Sequence, residues 1–351
     1  MNRFFSDMIK NIEPYVPGEQ PKDKKYIKLN TNESPYPPSP EVIEAIREAA
    51  NADLRLYPDP DCEGLKIAAA EYYGLKKEQI FVGNGSDEIL AFCFGAFYSG
   101  KKVLFPDVSY SFYPVYANLF NVDYEEVPVS DSFEIDAADY LKENDGIIMP
   151  NPNAPTSIFL NIEEIEKIIK KNQDSLVIID EAYIDFGGIS AVKYIEKYPN
   201  LLVIHTMSKS RSLAGLRVGF ALGNKTLIDG LERMKNSFNS YTIDRLAQAG
   251  AIAALKDTLY FEETRNKVIL TRDNTVAELI QLGFKVLDSK SNFIFISHKS
   301  FKAADLFQKL KENGILVRYF NKPRIDNYLR VSIGTDEEMG YFIDTLKGIL
   351  C

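Results

Sequence analysis

The chain has 351 residues, of which 45% are hydrophobic and 26% charged, and a formal net charge of -9 at pH 7. This length exceeds what a single core usually supports, so two domains are predicted, and the composition excludes disorder. The acidic balance argues against nonspecific nucleic-acid binding, and no apolar run approaches the roughly 18 residues that cross a bilayer, so neither nucleic acid nor membrane is an expected partner. The start of the chain lacks the apolar stretch and cleavage site of a signal peptide, which makes the cytoplasm the expected location. Cys62, Cys93 and Cys351 are odd in number and widely spaced, and His205 and His298 have no second ligand at coordinating spacing, so neither a disulfide framework nor a metal site is expected.

In chain order, the stretch from Pro14 to Pro40 is polar and Pro-rich, with too few periodic apolar positions for a layer of its own. Residues 1–39 are therefore read as an arm that joins the smaller domain. Between residues 40 and 242 short apolar runs alternate with helical patterns, the mark of an α/β layer with a mostly parallel sheet. Ser39 and Pro40 suit an N-cap and first helical position, and a helix from Asp61 to Tyr73 is predicted to stop at Gly74. Strands are predicted at 80–82, 103–105, 147–149, 176–179, 201–204 and 218–222, several of them apolar throughout, as strands covered on both faces are. After Thr242 a long helical pattern runs to about Leu282, followed by strands near 293–296 and 328–333 and a closing helix after Thr335. Residues 243–351 read as a second, smaller α+β domain.

Directly behind the run Leu201-Leu202-Val203-Ile204 stands Thr206-Met207-Ser208-Lys209-Ser210-Arg211-Ser212-Leu213-Ala214-Gly215-Leu216-Arg217. An amine such as that of Lys209 can attack an aldehyde to form an imine. A phosphate ester favours hydroxyl donors such as Thr206 and Ser208 together with a permanently charged guanidinium such as Arg217. One loop thus carries the groups that would hold a phosphorylated aldehyde covalently, and pyridoxal 5'-phosphate is that aldehyde. Taken alone, a lysine in a Ser-rich loop is more often a solvated surface charge.

Other segments supply partners for the same molecule. Asp180 ends a strand in Ile179-Asp180-Glu181-Ala182-Tyr183, and a buried carboxylate there would hold a pyridine nitrogen protonated; by itself it would be read as a strand-end residue capping a turn. Tyr183 is placed for the ring hydroxyl. Gly83-Asn84-Gly85-Ser86-Asp87-Glu88 follows a predicted strand and opens a helix, so the N–H groups of Gly85, Ser86 and Asp87 can cradle phosphate. Tyr110 is placed to stack on a planar ring, and Asn151-Pro152-Asn153-Ala154-Pro155-Thr156 offers an amide near the ring oxygen. Ligands of open α/β sheets bind beyond the carboxyl ends of strands, where Asp180 and the Lys209 loop both lie.

Together these motifs resemble the class I and II aminotransferases of fold type I, over essentially the whole chain, and within them the histidinol-phosphate aminotransferases. The ordered set Gly85-Ser86-Asp87-Glu88, Pro152-Asn153-Ala154-Pro155-Thr156, Asp180-Glu181-Ala182-Tyr183, Ser208-Lys209 and Ala214-Gly215-Leu216-Arg217 carries the resemblance, with Leu29-Asn30-Thr31-Asn32-Glu33 and Leu56-Tyr57-Pro58-Asp59. It implies a large domain with a mostly parallel mixed sheet, a smaller α+β domain, and pyridoxal 5'-phosphate bound through Lys209. It also implies that Asp180, Tyr183, Gly85, Ser86, Asp87, Tyr110, Asn153, Thr206, Ser208 and Arg217 surround the cofactor. Tyr57 resembles a tyrosine that reaches the phosphate from a partner subunit, which implies a homodimer. Tyr15, Asn32, Arg318 and Arg330 match substrate-binding positions. The implied reaction is amino transfer between the small molecules histidinol phosphate and 2-oxoglutarate; aromatic amino acid aminotransferase and threonine-phosphate decarboxylase activity are the alternatives on the same fold. Many relatives read Asn-Asn-Pro-Thr-Gly where this chain has Asn153-Ala154-Pro155-Thr156-Ser157, so the amide is assigned here to Asn153.

Overall fold

A computed structural model describes residues 3–6, 8–9, 12–15, 18–21 and 23–351. The arm enters through β1 (Ile27–Lys28), and α1 (Pro40–Ala49) follows with Pro40 at its first turn and the Ser39 hydroxyl capping Val42 N–H. Then come α2 (Glu63–Tyr73), β2 (Ile80–Gly83), α3 (Gly85–Cys93), β3 (Lys102–Pro106), α4 (Tyr113–Leu119), β4 (Asp123–Val127) and β5 (Gly146–Pro150). The large domain continues with α5 (Ile162–Lys171), β6 (Leu176–Asp180), β7 (Leu201–Thr206), β8 (Gly219–Gly223), α6 (Lys225–Phe238) and α7 (Arg245–Lys256).

Seven of these strands form one sheet in the order β2-β8-β7-β6-β5-β3-β4. All neighbours are parallel except β8, which runs antiparallel to both β2 and β7, so the sheet is mixed and mostly parallel. The continuous apolar runs are explained by two cores. Val177, Ile179, Leu201 and Val203 face one, whereas Ile178, Leu202, Ile204 and Ala221 face the other. Register then fixes the rim: Pro150 pairs with Asp180, Asp180 with Ile204, and Thr206 with Gly219. The ends of β5, β6 and β7 and the start of β8 thus meet at one edge.

The smaller domain contains α8 (Thr258–Gln281), β9 (Phe284–Val286), β10 (Phe293–His298), α9 (Ala303–Glu312), β11 (Ile315–Leu316), β12 (Arg318–Tyr319), β13 (Leu329–Ser332) and α10 (Asp336–Leu350). Its antiparallel sheet has the order β12-β13-β10-β9, and β1 pairs in parallel with β11, which ties the arm to this domain. One boundary differs from the sequence reading. The single helical region predicted from Thr242 is two helices, and α7 buries Ala247, Ala251, Ala254 and Leu255 in the same core as Leu65 and Ala69 of α2. The change of core therefore falls near Asp257, after residue 242, because the Ala-rich face of α7 is narrow enough to pack closely on α1 and α2. Among the described residues no helix is long and apolar enough to cross a membrane.

Candidate active site

The rim opens into a cavity of about 190 Å³ between the two domains and the arm. Its lining includes Lys209, Asp180, Tyr183, Arg217, Arg318 and Arg330, together with Tyr15 and Asn32 of the arm. Strand β7 ends at Thr206, and the loop behind it carries Lys209, whose Nζ donates to the Thr31 carbonyl at 3.2 Å. Lys209 also lies over the Tyr183 ring, 5.8 Å from its centroid.

At one end of the cavity α3 begins at Gly85, and the first-turn N–H groups give that end a positive potential. Gly85 sits at φ 77°, a left-handed conformation, and a Cβ there would run into the Arg217 guanidinium. Gly219 is tighter still, since its Cβ would lie 2.8 Å from the backbone of Gly85 and Ser86. Arg217 itself is left-handed at φ 55°, a conformation that costs a non-glycine residue about 1 kcal/mol. Its guanidinium donates to Ser208 Oγ at 3.4 Å and pairs with Asp87 Oδ2 at 3.3 Å. Tyr110 Oη donates to Asp87 Oδ1 at 2.7 Å, and burial beside that carboxylate holds the phenol well above its ordinary pKa, so it stays a neutral donor. Ser208 N–H donates to Thr206 Oγ1 at 3.2 Å. The result is a preassembled basic and hydroxyl-rich cradle.

Asp180 forms the floor and is 5% exposed. Burial pushes its pKa up to about 6, against the opposing pull of Tyr113 Oη, which donates to Oδ2 at 3.0 Å, and Ala182 N–H, which donates to Oδ1 at 3.2 Å. A carboxylate in this setting is poised to be stabilised by a cation, as a protonated ring nitrogen would do.

The Asn153 assignment is not supported by the placement of that side chain. Asn153 is buried outside the cavity, its Nδ2 donating to the Val108 carbonyl and Thr156 Oγ1, while the methyl group of Ala154 lines the wall. The loop reverses direction within Asn151–Ser157, so adjacent residues point to opposite sides.

Comparison with known proteins places this cavity. The family model for aminotransferase class I and II matches residues 24–346. The chain belongs to the class I and II aminotransferases. It is 59% identical over 348 residues to histidinol-phosphate aminotransferase of Clostridium acetobutylicum, covering 99% of each chain, and 59% identical over 351 residues to that of Clostridium beijerinckii, covering 100% of this chain and 98% of the other. Among solved structures, a histidinol-phosphate aminotransferase from Clostridium acetobutylicum matches with TM-score 0.85 at 27% identity, over 92% of this chain and 99% of that one. One from Sinorhizobium meliloti, described in complex with pyridoxal-5'-phosphate, shares the fold with TM-score 0.89 at 24% identity, over 100% and 98%.

In this aminotransferase the opposite end of the cavity is basic. Arg330 on β13 donates from Nη2 to the Asn30 carbonyl at 3.0 Å, while its buried Nε has no hydrogen-bond partner among the described residues. Desolvation draws its pKa below the usual guanidinium value. Arg318, on the two-residue strand β12, lines the same end. Tyr57 does not line the cavity. It is 77% exposed and stacks on Tyr241 with ring centroids 4.6 Å apart. Sequence reasoning missed Tyr113 and Gly219; the only signal for Tyr113 is its spacing of three from Tyr110, which brings both rings to the start of α4.

Proposed function

We propose that the chain transfers the amino group of histidinol phosphate to 2-oxoglutarate, acting as a homodimer in the cytoplasm with pyridoxal 5'-phosphate in the cavity. The observation that carries this reading is the presence, in one cavity, of Lys209, a buried Asp180 and two arginines at the far end, one with an unpartnered buried Nε. The donor set fits the cofactor. Gly85, Ser86, Asp87, Thr206, Ser208 and Arg217 would hold the phosphate, Asp180 the ring nitrogen and Tyr183 the ring hydroxyl, with Tyr110 beside the ring. When bound, this cofactor supplies an aldehyde for the substrate amine and a ring that accepts the electron pair released at the substrate carbon.

The protein's own part follows from position. Lys209 Nζ is the amine that bonds the aldehyde and, once displaced by substrate amine, the base that moves a proton at the substrate carbon. Asp180 keeps the ring nitrogen protonated. Arg330 and Arg318 bind the phosphate of one substrate and a carboxylate of the other, since a guanidinium fork suits both anions. Exposed Tyr57, stacked on Tyr241, supports a surface completed by a second copy, in which Tyr57 reaches the partner's phosphate cradle.

The test is to supply the purified, cofactor-loaded protein with 2-oxoglutarate and, in separate reactions, histidinol phosphate, phenylalanine, tyrosine and threonine phosphate. Glutamate formation fastest with histidinol phosphate is the expected result. Preference for the aromatic amino acids, or carbon dioxide release from threonine phosphate, would overturn the substrate assignment. Sedimentation as a monomer at working concentration would remove the role of Tyr57.

A further inference from the structure

Asn32 lies at the contact of three parts of the molecule, and every one of its polar groups is spent. It is 1% exposed and left-handed at φ 56°. Its backbone N–H donates to Ser332 Oγ at 2.8 Å, and its carbonyl accepts from Asn292 Nδ2 at 3.0 Å. Ser332 Oγ donates in turn to Asn32 Oδ1 at 2.8 Å, and Asn32 Nδ2 donates to Tyr183 Oη at 3.0 Å.

Hydrogen accounting fixes the sense of this chain. The Ser332 hydroxyl has one hydrogen, the residue is buried, and Asn32 Oδ1 is the acceptor the structure gives it. Turning the carboxamide over would leave that hydrogen without an acceptor, at a cost of about 1–3 kcal/mol. Nδ2 therefore faces Tyr183, and Tyr183 Oη accepts there. Its own hydrogen cannot point back at Asn32. With Asn153 turned away and Ala154 on the wall, Tyr183 is left as the donor for a ring oxygen on that side.

We propose that Asn32, locked by Ser332, is a positioning residue that directs the hydroxyl hydrogen of Tyr183 into the cavity, making Tyr183 an obligate donor to the cofactor's ring oxygen. The proposal rests on the cofactor reading above. It assigns Asn32 a role different from substrate binding, and it links β13 of the smaller domain, through the arm, to the cofactor.

The test measures pyridoxal 5'-phosphate affinity by equilibrium dialysis of the apoprotein, and the pH at which the bound cofactor's visible band changes. The variants are Asn32→Gly, which tolerates the left-handed backbone, Ser332→Ala, Tyr183→Phe, and the Asn32→Gly/Tyr183→Phe double. A donor to the ring oxygen lowers its hold on a proton, so loss of the donor moves the band transition to higher pH. Asn32→Gly is expected to move it in the same direction as Tyr183→Phe and to weaken affinity about three- to tenfold. Ser332→Ala should do the same less strongly, and the double variant should match Tyr183→Phe alone, because Asn32 acts through that hydroxyl. A band transition and affinity unchanged in Asn32→Gly, or effects that add fully in the double, would overturn the proposal. Failure of the wild-type chain to take up the cofactor would overturn the cofactor reading and this proposal together, which separates the two outcomes.

Discussion

The two walls of the cavity are built on opposite principles. The wall from the large domain is closed upon itself: Tyr110, Asp87, Arg217 and Ser208 bond one another, and Asp180 is held by Tyr113 and Ala182. On the wall from the arm and the smaller domain, Arg330 Nε and Asn30 Oδ1 are buried without a hydrogen-bond partner among the described residues. A group that is already satisfied can be held in place before its ligand arrives, whereas an unsatisfied one gains most when the ligand supplies its partner. The first wall suits a resident cofactor. The second suits substrates that come and go, and two different anions can use it in turn.

Lys209 belongs to both walls, since it stands on the large domain and its amine rests on Thr31 of the arm. Lys209→Ala should lower turnover by at least about 10⁴-fold, and borohydride should then fix no cofactor to the chain, as mass spectrometry would read. Asp180→Asn breaks the first wall alone. It should weaken cofactor binding about 10²- to 10³-fold, measured on the apoprotein. The same change should stabilise the apoprotein, and the sign can be worked out. The folded carboxyl is raised to about 6, so its contribution to stability is complete below the unfolded value near 4 and is lost as pH rises through 6, a loss of about 3 kcal/mol. Above pH 6 the apo variant should melt higher than the wild type, and below pH 4 the gap should close. Arg330→Ala breaks the second wall alone: kcat/KM for both anionic substrates should fall about 10²-fold while cofactor affinity stays within a factor of two. Equal loss of cofactor affinity would mean that the walls are not separate.

Much of the first wall was legible in the sequence because it stands on local backbone events. A strand ending in Asp180, a glycine opening α3, and a lysine behind a buried strand each leave a pattern within a few residues. What escaped depends on contacts far along the chain. Tyr113 is one of 20 tyrosines, and only the fold brings it to Asp180. Strand β4 reads Asp-Tyr-Glu-Glu-Val because it is an edge with exposed positions, so it left no apolar run. Arg318 was found by resemblance, since a two-residue strand has no periodicity to read. Asn153 and Ala154 differ by one position in a sharply turning loop, and adjacency in sequence does not say which faces the cavity.

The finest test of the first wall is the hydroxyl behind Asp180. Tyr113 is fully buried, and Tyr113→Phe keeps its ring packed against Phe94 and Phe105 while removing only the donor to Asp180 Oδ2. That donor favours the ionised carboxyl, as His205 does, whereas burial and Asp87 favour the neutral form; Cys93 and Tyr116 also feel its charge. Without Tyr113 the Asp180 pKa rises further, so the acid limb of cofactor binding should move to higher pH. At pH 6 affinity should fall about three- to tenfold, and well above that limb it should return close to the wild-type value. Tyr98 supplies the control, because its buried hydroxyl also donates, to the carbonyls of Ile147 and Leu176, but away from the cavity. Tyr98→Phe should lower the melting temperature and leave the pH profile of cofactor binding where it was. If the two phenylalanine variants shift that profile alike, the wall is held by packing in general, and the hydrogen bond to Asp180 has no tuning role of its own.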